Sequence, residues 1–189
     1  LATNDFAGQW ETSRRFIVQN PFPGVSIALV IAGSDRRGAA YGLIELSEEM
    51  GVSPWVWWAD VPPAKHPAIY YAGAAENQLG PPAVKYRGFF INDEDWGLNP
   101  WASKTFDPKL GNIGPKTYAK VFELMLRLRL NYIWPAMHPC SLEFGSLPEN
   151  VKLADQYAIV AGSSHCEQML ANNVHWNVKK QGPWDYGLN

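Results

Sequence analysis

Strand-like apolar segments alternate with segments of helical periodicity in the second half of the chain, and this alternation constrains the fold more than any other feature. The strand-like segments read "YRGFFI", "NYIWPAM" and "YAIVAGS". Residues 115–130, between the first two, carry apolar side chains at helical spacing and begin with Pro115, which suits a first helical turn. Further helices are predicted near 149–156 and 166–172. Because strands that alternate with helices usually form parallel sheets with right-handed crossovers, an α/β fold is predicted.

The first part of the chain contains a further strand-turn-helix unit. The segment "VSIALVIAG" (Val25–Gly33) is continuously apolar, as in strands that are buried on both faces of an α/β sheet. A helix is predicted over residues 36–50, because Gly51 and Pro54 supply a stop after it. An amphipathic helix is also predicted to open the chain, with an apolar face formed by Phe6, Trp10 and Ile17.

A proline- and glycine-rich stretch near residues 80–82 predicts a domain boundary. The expected organisation is an N-terminal α/β domain over residues 1–81 and a second domain over residues 82–189. One short strand is predicted before the boundary, at residues 68–72.

Each of the three later strands is followed by side chains that are capable of chemistry. The first leads into Asn92, Asp93, Glu94 and Asp95, the second into His138, and the third into His165 and Glu167. Ligands in barrels and open α/β sheets bind at the carboxyl ends of the strands, so these tips predict an active-site face. Adjacent carboxylates need a shared proton, a donor or a cation nearby. The alternatives are that an aspartate caps a turn and that His138 is a structural histidine at a strand end.

Charge and motif content disfavour several classes of function. The chain of 189 residues has a formal net charge of -2, so no global field attracts nucleic acid, and no apolar run approaches the roughly 20 residues that span a bilayer. The turn "AGSDRRG" lacks the glycine pattern of nucleotide-binding loops, and no cofactor is predicted. His165 and Glu167 have a spacing that could ligate a metal, but four histidines in the chain make a metal site the weaker alternative. Cys140 and Cys166 form no metal or CxxC spacing, and whether they pair is left open.

The same turn supplies a candidate for binding an acidic group. Ser34 or Asp35 is predicted to cap the following helix, and Arg36 or Arg37 to pair with a neighbouring acid. In the functional alternative, Arg36 reaches a substrate carboxylate, which arginine can bind through two hydrogen bonds.

Several separate motifs recur in the same order as in one enzyme family. They are "VIAGSDRRGAAYGLIELSEEMGVSPWVWWADVPP", "KYRGFFINDEDWGLNPW", "NYIWPAMHP" and "GSSHCEQML". With them the chain closely resembles the xylan α-1,2-glucuronidases of glycoside hydrolase family 115, from about Trp10 to Asn189. The looser pattern is also similar to β-hexosaminidases and other α-glucuronidases.

The resemblance implies a small N-terminal α/β domain followed by a (β/α)₈ TIM barrel. It also implies removal of 4-O-methyl-glucuronic acid from xylan by an inverting, metal-independent route, with glucuronoxylan or an aldouronic oligosaccharide as substrate. The family's acidic motif falls on Asn92, Asp93 and Glu94, which are expected to bind sugar hydroxyls and shape the local charge; Asp93 and Glu94 are the catalytic candidates within this chain. The general acid and base are expected on later strands, beyond residue 189. Further substrate-binding candidates from the same motifs are Trp101, Trp134, His138, His165 and Glu167.

A complete barrel takes about 250 residues, so residues 82–189 are expected to hold only about three of its βα units. The chain also begins "LATNDFAG", without methionine or a basic-then-apolar leader, which favours a fragment. The isolated chain is therefore expected to lack activity, and homodimer contacts, if any, are expected from regions outside it. Secretion or a periplasmic location is expected from the size of the substrate. The alternatives are a hexosaminidase-like glycosidase, a non-catalytic carbohydrate-binding module and a metal-dependent hydrolase.

Overall fold

The computed structural model describes residues 4–72, 77–92, 94–168, 172–173 and 175–188, and of Asn4 and Glu94 it describes the backbone alone. The chain divides into two units. The first comprises Leu1–Tyr86 and Leu124–Leu130, and the second comprises Arg87–Glu123 and Asn131–Asn189.

The first unit is built on an antiparallel hairpin of two long strands, β1 (Ser13–Phe22) and β2 (Val25–Gly33). A short third strand, β3 (Asn77–Leu79), pairs antiparallel with the other edge of β1, which gives the strand order β2-β1-β3. The predicted opening helix is wrong, since Ile17 lies within β1 and Phe6 lies in a single 3-10 turn. The apolar residues fit helical spacing but form a strand, because "NPFPG" contains a hairpin turn in which Gly24 has φ 82°. This turn places β1 and β2 side by side.

Strand β2 is not buried on both faces, contrary to the prediction from its continuous apolar sequence. It lies at an edge of the sheet, and Val25, Ile27 and Leu29 are exposed by 41%, 53% and 36%. The tight turn before β2 explains the difference. A two-residue connection can join only antiparallel strands, and an antiparallel sheet can leave one face in solvent, unlike a parallel sheet.

Helix α1 (Arg36–Glu49) follows β2 and confirms the predicted strand-turn-helix unit. Asp35 caps the helix as predicted, since its carboxylate accepts the backbone N–H of Gly38 at 2.8 Å. Any side chain at Gly38 would collide with the Thr12 carbonyl oxygen, 2.3 Å from an added Cβ, so glycine allows the helix to pack closely there. The predicted strand at 68–72 does not form.

The second unit contains a parallel three-stranded sheet, as the alternating pattern predicted. Its strands are β4 (Gly88–Phe90), β5 (Tyr132–Trp134) and β6 (Val160–Ala161), in the order β4-β5-β6. Helix α3 (Pro115–Arg127) lies between β4 and β5 in the chain, and helix α4 (Pro148–Gln156) lies between β5 and β6. The observed architecture is therefore mixed α/β, with strands shorter than the apolar segments suggested.

The segment after β4 is helical. Residues 94–106 form π-helical turns around a short helix α2 (Asn99–Trp101), whose first turn holds Pro100. A last short helix, α5 (Val178–Gln181), follows near the end of the chain. The predicted helix at 166–172 includes residues 169–171, which lie outside the description.

An aromatic core joins α3 to the sheet of the second unit. Tyr118 and Phe122 of α3 and Ile133 of β5 are 1%, 0% and 0% exposed. Tyr118 packs edge-on against Phe144, with ring centroids 4.8 Å apart. Its hydroxyl also accepts the backbone N–H of Ala136 at 3.2 Å, so the core side chain fixes the segment that continues from β5.

None of the helices within the described residues combines the length and apolar character of a membrane-spanning helix.

Candidate active site

The carboxyl ends of β4, β5 and β6 lie side by side at one edge of the parallel sheet. Just beyond β4, the Ile91 N–H donates to the Trp134 carbonyl oxygen at 3.0 Å. Just beyond β6, the Gly162 N–H donates to the Ile133 carbonyl oxygen at 2.8 Å. These bonds hold the three polar tips next to each other, which is the arrangement that parallel strands require.

The tips of the first and second strands meet through one ion pair. The imidazole Nδ1 of His138 lies 2.7 Å from a carboxylate oxygen of Asp95, and both side chains are partly exposed, at 41% and 51%. Asn92 is exposed. Asp93 and the side chain of Glu94, the predicted catalytic candidates, lie outside the described residues.

Glu167, from the tip of the third strand, is buried, with 7% of its surface exposed. Burial raises the pKa of the Glu167 carboxyl, and the nearby Glu143 charge adds to the rise; a hydrogen bond from Asn172 and the neighbouring His175 act in the opposite direction. The Asn172 amide donates to Glu167 Oε1 at 3.3 Å. A buried carboxyl of this kind retains a proton at a pH where an exposed one is ionised.

A cleft of about 810 Å³ opens beside Glu167. Its polar lining includes Glu143, Glu167 and Asn172, and the remainder includes apolar side chains such as Pro135 and Phe144. A few polar groups in a mostly apolar cleft are typical of a small-ligand site.

Glu143 and His175 form a second close pair at this cleft, which the sequence did not predict. The Glu143 carboxylate lies 2.7 Å from His175 Nδ1, and His175 Nε2 lies 3.3 Å from the carbonyl oxygen of Pro139. The two residues are 32 positions apart on irregular segments, so no spacing rule links them.

The other predicted substrate-binding residues are placed as follows. Trp134 is 38% exposed, and its indole N–H donates to the Tyr132 hydroxyl at 3.2 Å. His165 is exposed, with its Nδ1 3.3 Å from the Ser164 hydroxyl. Trp101 stacks on Phe106 at 4.9 Å between ring centroids, which occupies one face of its indole.

Arg36 belongs to the first unit, where it is exposed at the start of α1. Its neighbour Arg37 makes the predicted pairing with an acid, as its Nε lies 2.6 Å from a Glu11 carboxylate oxygen. Within the part of the chain that the structure describes, no group of three or more His, Cys, Asp and Glu side chains is arranged to hold a metal ion.

Comparison with known proteins decides the family. Residues 79–189 match the sequence model of glycosyl hydrolase family 115. This chain belongs to glycoside hydrolase family 115. It is also similar over its whole length, at 41% identity and a TM-score of 0.86, to a solved structure described as "a novel family GH115 4-O-Methyl-alpha-glucuronidase, BtGH115A, with specificity for decorated arabinogalactans". The chain spans 24% of the length of that structure. The search of curated proteins gave no match.

Proposed function

We propose that this family 115 chain forms part of the active site of a glycoside hydrolase that removes glucuronic acid or its 4-O-methyl form from a plant polysaccharide. The α-1,2-linked glucuronic acid of xylan is the proposed target. The reaction is proposed to follow an inverting acid/base route, in which one carboxylic acid protonates the leaving oxygen and a carboxylate activates water.

The observation that carries the proposal is the environment of Glu167. A general acid must hold its proton at the working pH, and burial beside a cleft is the usual way in which proteins achieve this with a carboxyl group. Glu167 combines burial, a raised pKa and a position on the lining of the cleft. We therefore assign it the role of proton donor. This proposal replaces both the substrate binding that the sequence indicated for Glu167 and the expectation that the general acid lies beyond residue 189.

The partner carboxylate is proposed to lie among the acidic residues at the tip of β4 or on strands outside this chain. The two groups of an inverting pair lie roughly 6.5 to 9.5 Å apart, which leaves room for the water. Asp95 is held in position by His138 at 2.7 Å, and Asp93 and Glu94 remain the candidates from the family's motif.

We further propose that this chain forms part of a TIM barrel and that it is inactive by itself. The three parallel strands and their two intervening helices are proposed to be the first βα units of a (β/α)₈ barrel. Arg36, Trp101, Trp134, His138 and His165 are proposed to bind substrate. A polysaccharide substrate also favours an extracellular or periplasmic location.

The proposal is tested by measuring the release of 4-O-methyl-glucuronic acid from glucuronoxylan. The chain alone and the chain extended through its native flanking sequence are compared, each with and without a chelator. Release by the extended protein alone, unaffected by chelator, is the expected result. Release only from a decorated arabinogalactan would correct the substrate, and no release from either polymer by a folded protein would contradict the proposed function.

The Glu167 assignment has a matched control on the same unit. Glu167→Gln is expected to reduce release by about 10² to 10⁴-fold, the usual contribution of a general acid. Glu149→Gln, at an exposed position in the first turn of α4, is expected to leave the rate unchanged.

A further inference from the structure

The side chain of Asn172 is fixed by backbone groups on both of its sides. Its amide nitrogen donates to the Met137 carbonyl oxygen at 3.4 Å, and its amide oxygen accepts the His175 backbone N–H at 3.3 Å. The first partner can only accept and the second can only donate, so the orientation of the amide is determined. Asn172 is 7% exposed, and its amide also donates to Glu167 Oε1 at 3.3 Å.

This contact fixes the orientation of the Glu167 carboxyl group. Glu167 Oε1 accepts the Asn172 amide N–H at 3.3 Å, and the carboxyl group cannot rotate without breaking that bond.

The Glu143–His175 pair fixes the segment that carries Asn172. His175 Nδ1 lies 2.7 Å from the Glu143 carboxylate and Nε2 lies 3.3 Å from the Pro139 carbonyl oxygen. An imidazolium satisfies both acceptors at once, because both of its nitrogens donate. The pair thereby ties His175, whose backbone N–H bonds to Asn172, to the loop that follows β5.

We propose that Asn172 is a positioning residue for Glu167, which orients the carboxyl group in the cleft and sets the pH range over which it can donate its proton. The inference rests on the proposed function, because it assumes that Glu167 donates a proton to the substrate. The charged groups that face Glu167 from the surrounding segments are Glu143 and His175, and Asp155 of α4 lines the same cleft.

The test replaces Asn172 by aspartate, which has the same shape but cannot donate to Glu167 when ionised. The titration of Glu167 is followed by carboxyl infrared or ¹³C NMR signals, identified by their loss in Glu167→Gln. The midpoint is expected to rise by at least about one pH unit, because the donor that stabilises the ionised carboxylate is lost and a second carboxylate takes its place. The basic limb of the kcat/KM profile of the extended enzyme is expected to move by the same amount.

The exposed neighbour Asn173 supplies the matched control, since Asn173→Asp adds the same charge one position away. It is expected to shift neither the titration nor the profile appreciably. If Asn172→Asp fails to fold, Asn172→Leu, which has a similar size and no amide donor, is used instead and is expected to raise the midpoint in the same direction.

An unchanged midpoint in a folded Asn172→Asp protein would overturn the inference, as would a profile that drops at every pH without moving. A shifted midpoint in a protein that hydrolyses no glucuronide would support the Asn172–Glu167 bond and reject the proposed function, so the two failures can be distinguished.

Discussion

The hydroxyl of Tyr118 provides the sharpest test of how the core holds the end of β5. Tyr118 is 1% exposed and Ala136 is 0% exposed, and the hydroxyl accepts the Ala136 N–H at 3.2 Å. Tyr118→Phe keeps the ring that packs on Phe144 and removes the hydroxyl group, so no large cavity forms. A buried donor that loses its partner costs about 1–3 kcal/mol, and that is the expected loss in the free energy of unfolding.

The loss is measured by urea unfolding of Tyr118→Phe, monitored by circular dichroism, beside Tyr186→Phe as a control. Tyr186 is 97% exposed, and its substitution is expected to change the free energy of unfolding by less than about 0.5 kcal/mol. Equal unfolding midpoints for the wild type and Tyr118→Phe would refute the claim that this hydrogen bond secures the segment leading to His138.

Three further predictions address other parts of the molecule. Because burial raises the pKa of Glu167, the contribution of its carboxyl group to stability is expected to be greatest below the unfolded-state pKa of about 4.3. It is lost as the pH rises toward the higher folded-state pKa, by at most about 1.4 kcal/mol per pH unit, so the difference in free energy of unfolding between the wild type and Glu167→Gln should fall with pH in urea unfolding measured from about pH 4 to 8. Asp35→Ala removes the α1 cap and is expected to cost about 0.5–2 kcal/mol, whereas Asp35→Asn should retain most of it. Gly162→Ala is expected to lower the melting temperature, because the added Cβ would lie 1.9 Å from the Tyr132 hydroxyl, while Gly145→Ala, which meets no atom within 4 Å, should not.

The elements that the sequence predicted correctly are those with a strong local pattern. Helix α3 has a clear apolar face and a proline in its first turn, and α1 has a capping aspartate after an apolar strand. The parallel order of β4, β5 and β6 followed from the helices between them.

The hairpin of β1 and β2 was missed for a physical reason. Residues Phe6 to Ile17 have apolar positions that fit a helix, and the choice of strand depends on pairing with β2, which lies further along the chain. Local periodicity contains no information about that pairing. The sequence of β2 alone also does not show which other elements pack on its two faces.

The candidate site was predictable in part. Polar residues after strands located Asp95, His138 and Glu167 at one edge, because parallel strands place their carboxyl ends together. The supporting groups Glu143, Asn172 and His175 come from irregular segments, and their distances to one another depend on tertiary packing. The burial that distinguishes Glu167 from the other acidic residues also depends on packing.

The proposed protonation of the leaving oxygen by Glu167 can be measured by varying the leaving group. The extended enzyme and its Glu167→Gln variant are compared on glucuronoxylan, whose sugar oxygen needs a proton to leave, and on an α-glucuronide of dinitrophenol, which leaves as a stable anion. A loss of about 10² to 10⁴-fold is expected on the polysaccharide and little loss on the aryl glucuronide. Equal losses on both substrates would exclude Glu167 as the proton donor.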